Sequence, residues 1–302
     1  MDVRDEAVRR VAWNLVCAVE RAFGTNAARR TARAVCAVEG LTDSGVHRIA
    51  QRISPRLADR NPGLAKIPPT WATKVDVRRQ GLRLELDLRD NLQAILYYAG
   101  RYEPAVRRFL RAELRQGDVV LDIGANIGVH ALAAAQRLKE LGGGRVIAFE
   151  PAADCVAKLC AAAERNQLQV QVVPSALGDR PHEAALRADS RYDAADAGVR
   201  SLYGDGQVVQ EVPVIRLDDW AAAHDLTRLD VVKLDIEGAE IVALAGAAGT
   251  LKRLRPRALL VEDKRSETSA RLHAVLDDLG YRPTGDVLDH NAVFRPVAYG
   301  VN

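Results

Sequence analysis

Residues 121–128 read LDIGANIG, between the apolar run VVLDI and the alanine-rich run VHALAAAQRLKEL. A turn this bare, where a strand passes into a helix, suits a ligand held beyond the carboxyl end of a parallel strand. Gly124 allows a sharp turn and close approach to the backbone. Gly128 allows tight packing where the helix begins, and exposed N–H groups at that start attract a polar or negative group. Glu150 closes the next apolar run, RVIAFEP. An acid at about that offset from the turn hydrogen-bonds a ribose diol. A dinucleotide fold wants G-x-G-x-x-G with room for a pyrophosphate, whereas this turn has one glycine fewer and carries Asp122. An anion there is a poor neighbour for pyrophosphate and a good one for an ammonium. S-adenosylmethionine offers a ribose, an adenine, an amino group and a sulfonium, and no phosphate, so Asp122 tips the balance towards it.

A second group of residues could do chemistry. In VVKLDIEG, Lys233 and Asp235 are two apart and share one face of a strand. A buried lysine needs a partner, so the two can pair, either as a structural ion pair or at a reactive centre. Glu237 and Gly238 are expected to open the next helix, with Glu237 favoured by the helix dipole and Glu240 one turn on as a helix-face acid. Glu262 ends the neighbouring strand. Asp235 and Glu262 could share a proton or ligate a metal such as Mg²⁺, which is possible but not required. His130, two residues past Gly128, is a base candidate beside the cofactor, with core packing as the plainer alternative. His290 is a weaker one.

These residues need elements to hold them. Strands are expected at 119–123, 145–149, 169–173, 230–236 and 257–262, alternating with helices, which specifies a parallel sheet covered on both faces. A helix over 103–115 precedes them. TKVDVRR and LRLELDL, joined by Gln80-Gly81, read as a β-hairpin, and YRPTGDVLDHNAVFRPV as a closing one. Residues 183–216 break the rhythm and read as a polar insert, with 190–207 a lid over the substrate. Upstream, residues 5–23 and 26–39 have helical periodicity, a third helix follows Asp43 or Ser44, and a proline-rich stretch leads on. Residues 1–70 are thus expected to be a helical appendage with its linker, and 71–302 the ligand-binding domain.

The chain resembles the FkbM-type branch of the class I S-adenosylmethionine-dependent methyltransferases over roughly residues 75–300. The resemblance rests on GRYEPAVRRFL, GDVVLDIGANIGVHAL, VIAFEP, VVPSALGD, VIRLDDW, VVKLDIEGAE and LLVED, in that order. It implies an α/β, Rossmann-like sheet of seven strands with the last one antiparallel, and methyl transfer, usually to oxygen on a small molecule. Carried over by position, Gly124, Ala125, Asn126 and Gly128 would cradle the methionine part and Glu150 the ribose. Ser175 and Ala176 would border the adenine, and Asp235 would sit by the amino group or the methyl. Tyr102 and Glu103 would lie over the cofactor mouth, the alternative being that Tyr102 packs and Glu103 caps the helix at Pro104. Many relatives carry a histidine shortly after the acid of LLVED; VEDKRSE here has none, so the general base is open.

Bulk properties narrow the classes. The 302 residues are 48% apolar and 27% charged, as in a globular protein. Net charge is +3, yet residues 1–60 hold eleven Arg against seven Asp or Glu, so the remainder is slightly acidic. That balance gives the working domain no broad basic footprint for nucleic acid. The four cysteines form no C-x-x-C pair and read as reduced thiols. No run is long enough for a bilayer, and the start, MDVRDEAVRR, lacks the apolar core of a signal peptide. The expectation is a cytoplasmic bacterial enzyme methylating a hydroxyl of a sugar or natural-product intermediate, with a homodimer possible through the N-terminal helices. The alternatives are N- or carboxyl-methylation of a peptide or metabolite, a non-catalytic binding protein on the same fold, and a dinucleotide oxidoreductase.

Overall fold

In the computed structural model, the described residues are 74–87, 90–98, 100–188, 200–263 and 268–297. The expected N-terminal helices, the boundary near residue 70 and most of the expected lid lie outside them. The chain divides between Tyr102 and Glu103 into two compact units.

In the first unit, β1 (Lys74–Arg79) and β2 (Leu82–Asp87) form the expected antiparallel hairpin, and α1 (Asn91–Tyr98) follows. Arg79 ties hairpin to helix, its Nε and Nη2 donating to the Tyr97 carbonyl at 3.1 and 3.0 Å.

The second unit begins with α2 (Pro104–Glu113), β3 (Val119–Ile123), α3 (Val129–Glu140), β4 (Arg145–Phe149), α4 (Ala153–Arg165) and β5 (Gln171–Val173). Next come β6 (Ala176–Leu177), β7 (His182–Arg187), β8 (Val208–Ile215), α5 (Leu217–Ala223), β9 (Val231–Leu234), α6 (Glu240–Gly246) and α7 (Ala248–Leu254). It closes with β10 (Ala258–Glu262), α8 (Ser269–Asp278), β11 (Tyr281–Leu288) and β12 (Asn291–Pro296). Seven strands form one sheet in the order β11-β12-β10-β9-β3-β4-β5. β10, β9, β3, β4 and β5 run parallel, and β12, the last strand, is antiparallel to β10. This is the expected doubly covered α/β sheet.

Two-residue periodicity sorts the strand side chains. Leu121 and Ile123 of β3 join Val232 and Leu234 of β9, Ile147 and Phe149 of β4, and Trp220 and Leu244 of the helices in one apolar core. Asp122 and Lys233 are direct register partners on the other face, the face of the candidate site. α3, which packs on β3 and β4, is itself covered by α2.

The insert differs from expectation. Instead of a long irregular segment, β8 pairs antiparallel with β7 and parallel with β6 in a separate three-stranded sheet. Pro213 lies inside β8 opposite Glu183, and the ladder forms around it. Cys155 and Cys160 are free thiols. Among the described residues, no helix is long and apolar enough to cross a membrane.

At the sheet's opposite end the strand starts are locked by charge. Asp118, fully buried, accepts from Arg257 and Arg228 and from the Arg115 N–H. Arg257 also holds Glu113 and Asp230, and Glu113 takes Arg295 from β12. Asp118→Ala should therefore lower unfolding free energy in urea by about 2–3 kcal/mol, less than for an isolated buried pair because Arg257 keeps two other carboxylates.

Candidate active site

The turn after β3 is shaped by steric necessity. Gly124 has φ 82°, and a Cβ there would lie 1.8 Å from the Asp235 carbonyl oxygen. At Gly128, φ 83°, a Cβ would meet Leu159 Cδ1 at 2.1 Å. Both conditions exclude any other residue. The turn is thereby pressed against the end of β9, and the Asp235 N–H donates to the Ile123 carbonyl at 3.0 Å.

The expectation of exposed N–H groups concerns the helix start; the turn before it offers none. Gly124 and Ala125 both donate to the Phe149 carbonyl, at 3.0 and 3.1 Å, and Gly128 to the Ala125 carbonyl at 2.8 Å. Asn126 N–H goes to Glu150 Oε2 at 2.7 Å, and Ile127 N–H to the Asn126 side-chain oxygen at 2.7 Å. The five amides of residues 124–128 all have partners within the protein. What the turn presents is a carboxylate. Asp122 is 2% exposed, and neither of its oxygens makes a hydrogen bond. The Ala131 N–H lends it only a weak favourable field without closing a bond. Burial raises the Asp122 carboxyl above its ordinary range, against the stabilising fields of Lys233 and His130.

Lys233 is 4% exposed, and its Nζ donates to Asp235 Oδ2 at 2.8 Å. Burial opposes its charge, but Asp235, Asp122 and Glu103 outweigh it and hold the ammonium above the usual lysine range. Lys233 therefore stays protonated and cannot serve as a base. Asp122, Lys233, Asp235, Glu103 and His130 act on one another electrostatically; the sequence motifs that hold them are up to 130 residues apart.

Glu150 sits at the end of β4, with Oε1 accepting from the Ala152 N–H at 2.8 Å and Oε2 from Asn126. Burial raises its carboxyl to about 7, against those two amides. Each oxygen retains a lone pair for a further donor. Ser175, in the turn beyond β5, and Ala176, the first residue of β6, are both buried.

The turn after β9 differs from expectation. Glu237, φ 55°, and Gly238, φ 99°, lie before α6 and not within it. The shaping acid is Glu240, whose Oε1 accepts from the Ile236 and Gly238 N–H groups at 3.0 and 3.2 Å. The sequence favoured Glu237 for the helix start and left Glu240 as a helix-face acid; the left-handed backbone at Glu237 and Gly238 gives the task to Glu240. Glu262 closes this side: one carboxylate oxygen each of Asp235, Glu237 and Glu262 lie within 4.8 Å of one another. Such a group could take a divalent cation, although Asp235 already shares its charge with Lys233.

Glu103 is corrected as a cap. It occupies the N-cap position of α2 but makes no side-chain cap bond. Asp289, from the β11–β12 turn, does that work, its Oδ2 accepting from the Ala105 and Val106 N–H groups at 3.2 and 3.4 Å. The Glu103 carboxylate instead meets His130, Oε2 to Nε2, at 2.7 Å. Tyr102 is half-buried and belongs to the first unit, where its carbonyl accepts from Gln80. At β10, Asp263 accepts from His273 Nε2 of α8 at 2.9 Å, so an imidazole reaches that strand end from a distance of ten residues. His290 contributes its carbonyl to the Asp263 N–H.

Residues 200–203 run between two sides of the site, unforeseen in the sequence. Arg200 pairs with Asp154, in the first turn of α4, at 2.7 Å, and Ser201 Oγ donates to the Glu237 carbonyl at 2.8 Å. Ser201 also pairs with Arg187 of β7 through both backbone groups.

A methyltransferase FkbM domain model matches residues 122–283, more than half of the chain, which takes in Asp122, His130, Glu150, Lys233, Asp235 and Glu262 but not Glu103. The chain belongs to the FkbM methyltransferase family. It is 32% identical to the 31-O-demethyl-FK506 methyltransferase FkbM of Streptomyces tacrolimicus, over 46% of this chain and 64% of that one. It is 28% identical to the hexuronic acid methyltransferase AglP of Haloferax volcanii, over 50% of this chain and 59% of that one. The chain thus spans less than two thirds of either relative. A solved 16S rRNA N2 G1207 methyltransferase from T. thermophilus, in complex with AdoMet and guanosine, overlaps 76% of this chain at 16% identity and TM-score 0.43, covering 52% of its own length.

Replacing Asp122 by Asn removes a buried charge that has no partner. The apo protein should then gain about 1–3 kcal/mol in unfolding free energy at pH 8. A carboxyl raised on folding favours the native state below its unfolded pKa and loses that contribution as pH rises. The gain should accordingly shrink as pH falls towards 4, as read by urea unfolding across that range.

Proposed function

We propose that this chain transfers the methyl group of S-adenosylmethionine to a hydroxyl oxygen of a small molecule. The single observation that carries the cofactor is the pairing of spent amides with an unsatisfied buried Asp122. A pyrophosphate needs donors, and this turn has none left to give. An ammonium needs an acceptor, and Asp122 offers two oxygens. S-Adenosylmethionine meets both conditions and supplies a methyl group on a positively charged sulfur.

In this reading Asp122 holds the amino group, with Asp235 nearby as a second acceptor. The backbone of Gly124, Ala125, Asn126 and Gly128 forms the wall along the methionine part. Glu150 receives the ribose hydroxyls, its position fixed by the amides of Asn126 and Ala152. Ser175 and Ala176 bound the adenine. Lys233 orients Asp235 through their 2.8 Å contact. His130 is the imidazole of the cluster, the side-chain type most often used as a general base. Fixing donor and acceptor in line supplies much of the acceleration for such a displacement. Transfer to oxygen is supported by the 31-O position named for the FkbM relative, and a small-molecule acceptor by that name together with the hexuronic acid named for AglP. A carboxylate acceptor is disfavoured by the acids at this strand end.

Calorimetric titration with S-adenosylhomocysteine tests the assignment, with NADH as the comparison. Micromolar binding of S-adenosylhomocysteine and none of NADH is expected; the reverse would overturn it. Glu150→Ala should weaken S-adenosylhomocysteine binding roughly ten- to a hundredfold, since it removes charge-assisted hydrogen bonds. Ribose hydroxyls are donors to the ionised Glu150, so binding should be about tenfold weaker at pH 6 than at pH 8, a dependence that Glu150→Gln abolishes.

A further inference from the structure

We propose that Glu103 is a positioning residue: it holds the Nε2–H of His130, so that the Nδ1 lone pair receives the proton of the acceptor hydroxyl. Its purpose rests on the methyltransferase reading, while its geometry does not. Glu103 Oε2 and His130 Nε2 are 2.7 Å apart, and both side chains are 8% exposed. Only one group can contribute the shared hydrogen if Glu103 is ionised, and that is the imidazole. The tautomer follows from the contact, as it does wherever a carboxylate fixes a catalytic histidine.

Three further observations set this pair apart from ordinary packing. Glu103 has φ 38° and ψ 63°, a left-handed conformation that a non-glycine residue adopts at a cost. The helix-capping task natural to its position has passed to Asp289, which leaves its carboxylate directed at α3. The neighbouring groups are committed elsewhere: Lys233 stays charged against Asp235, and Asp289, which acts on both Glu103 and His130, is held by the Ala105 and Val106 amides. His130 sits in the first turn of α3, directly after the glycine turn, within the field of Asp122. The chain lacks a histidine directly after Glu262, and His130 supplies an imidazole from another element.

The transfer balances without any further reactant. The acceptor oxygen forms the new O–CH₃ bond as its proton passes to His130 Nδ1. The electron pair of the breaking carbon–sulfur bond stays with sulfur. The Nε2–H remains donated to Glu103 throughout, where it stabilises the imidazolium.

The test reads the tautomer directly. Protein labelled with ¹⁵N-histidine is examined by long-range ¹H–¹⁵N correlation at pH 8, free and saturated with S-adenosylhomocysteine. His130 is expected as the Nε2–H tautomer, shifting to a mixture in Glu103→Ala. Glu103→Gln, which keeps the volume and a neutral acceptor, guards against a folding failure and should retain the Nε2–H form. An Nδ1–H tautomer in the parent, or a tautomer indifferent to both variants, would overturn the proposal. A large loss of affinity with the tautomer unchanged would make Glu103 a cofactor ligand instead. Failure of the parent to bind S-adenosylhomocysteine would strike the methyltransferase reading and leave the tautomer result standing on the free protein.

Discussion

At the centre of the sheet two carboxylates, Asp122 and Asp235, face a single ammonium, Lys233. Asp122 and Lys233 project from adjoining parallel strands and Asp235 follows directly after one, where water is scarce and each charge must be answered by the protein or by a ligand. Lys233 is claimed by Asp235 at 2.8 Å. Asp122 is left with the field of that ammonium but no hydrogen bond. A folded protein keeps such a group only against a cost in stability, and the cost is recovered when a cation binds. The glycine turn, the spent amides and the clustering of acids at this strand end follow from holding that residual negative charge in one place.

The two ends of the sheet treat charge in opposite ways. At the strand starts, Asp118, Asp230 and Glu113 are matched by Arg228, Arg257 and Arg295 in a closed network. Those contacts bind β3, β9, β10 and β12 together. At the strand ends, the carboxylates outnumber the cations among the described residues. The satisfied end fixes the frame; the unsatisfied end is where a ligand completes the structure. This is the polarity expected of an open parallel sheet, whose sites lie beyond the carboxyl ends of its strands.

The strand-helix alternation, the sheet class and the acids of the glycine turn were legible because they are local patterns: an apolar run, then glycine, then helix periodicity. Side-chain destinations were not. Glu103 looked like a cap because it precedes Pro104, and only the fold brings Asp289 to that helix and sends Glu103 to His130. Glu240 looked like a surface acid because its role depends on a left-handed turn at Glu237 and Gly238. That the turn's own amides are spent was not legible either: the long-range approach of Phe149 and Glu150 uses them. The insert hid its ladder behind Pro213 and scattered charges. In each case the missing information is a contact between residues far apart in sequence.

The account depends most on Asp122 as the ammonium acceptor, and one comparison reaches it directly. Calorimetric affinities of the parent and of Asp122→Asn would be measured for S-adenosylhomocysteine and for methylthioadenosine, which keeps the nucleoside and lacks the amino acid. The variant should bind S-adenosylhomocysteine about ten- to a hundredfold more weakly and methylthioadenosine as the parent does, since a charge-assisted hydrogen bond is worth roughly 1.5–3 kcal/mol. Equal weakening of both ligands, or no change in either, would contradict it.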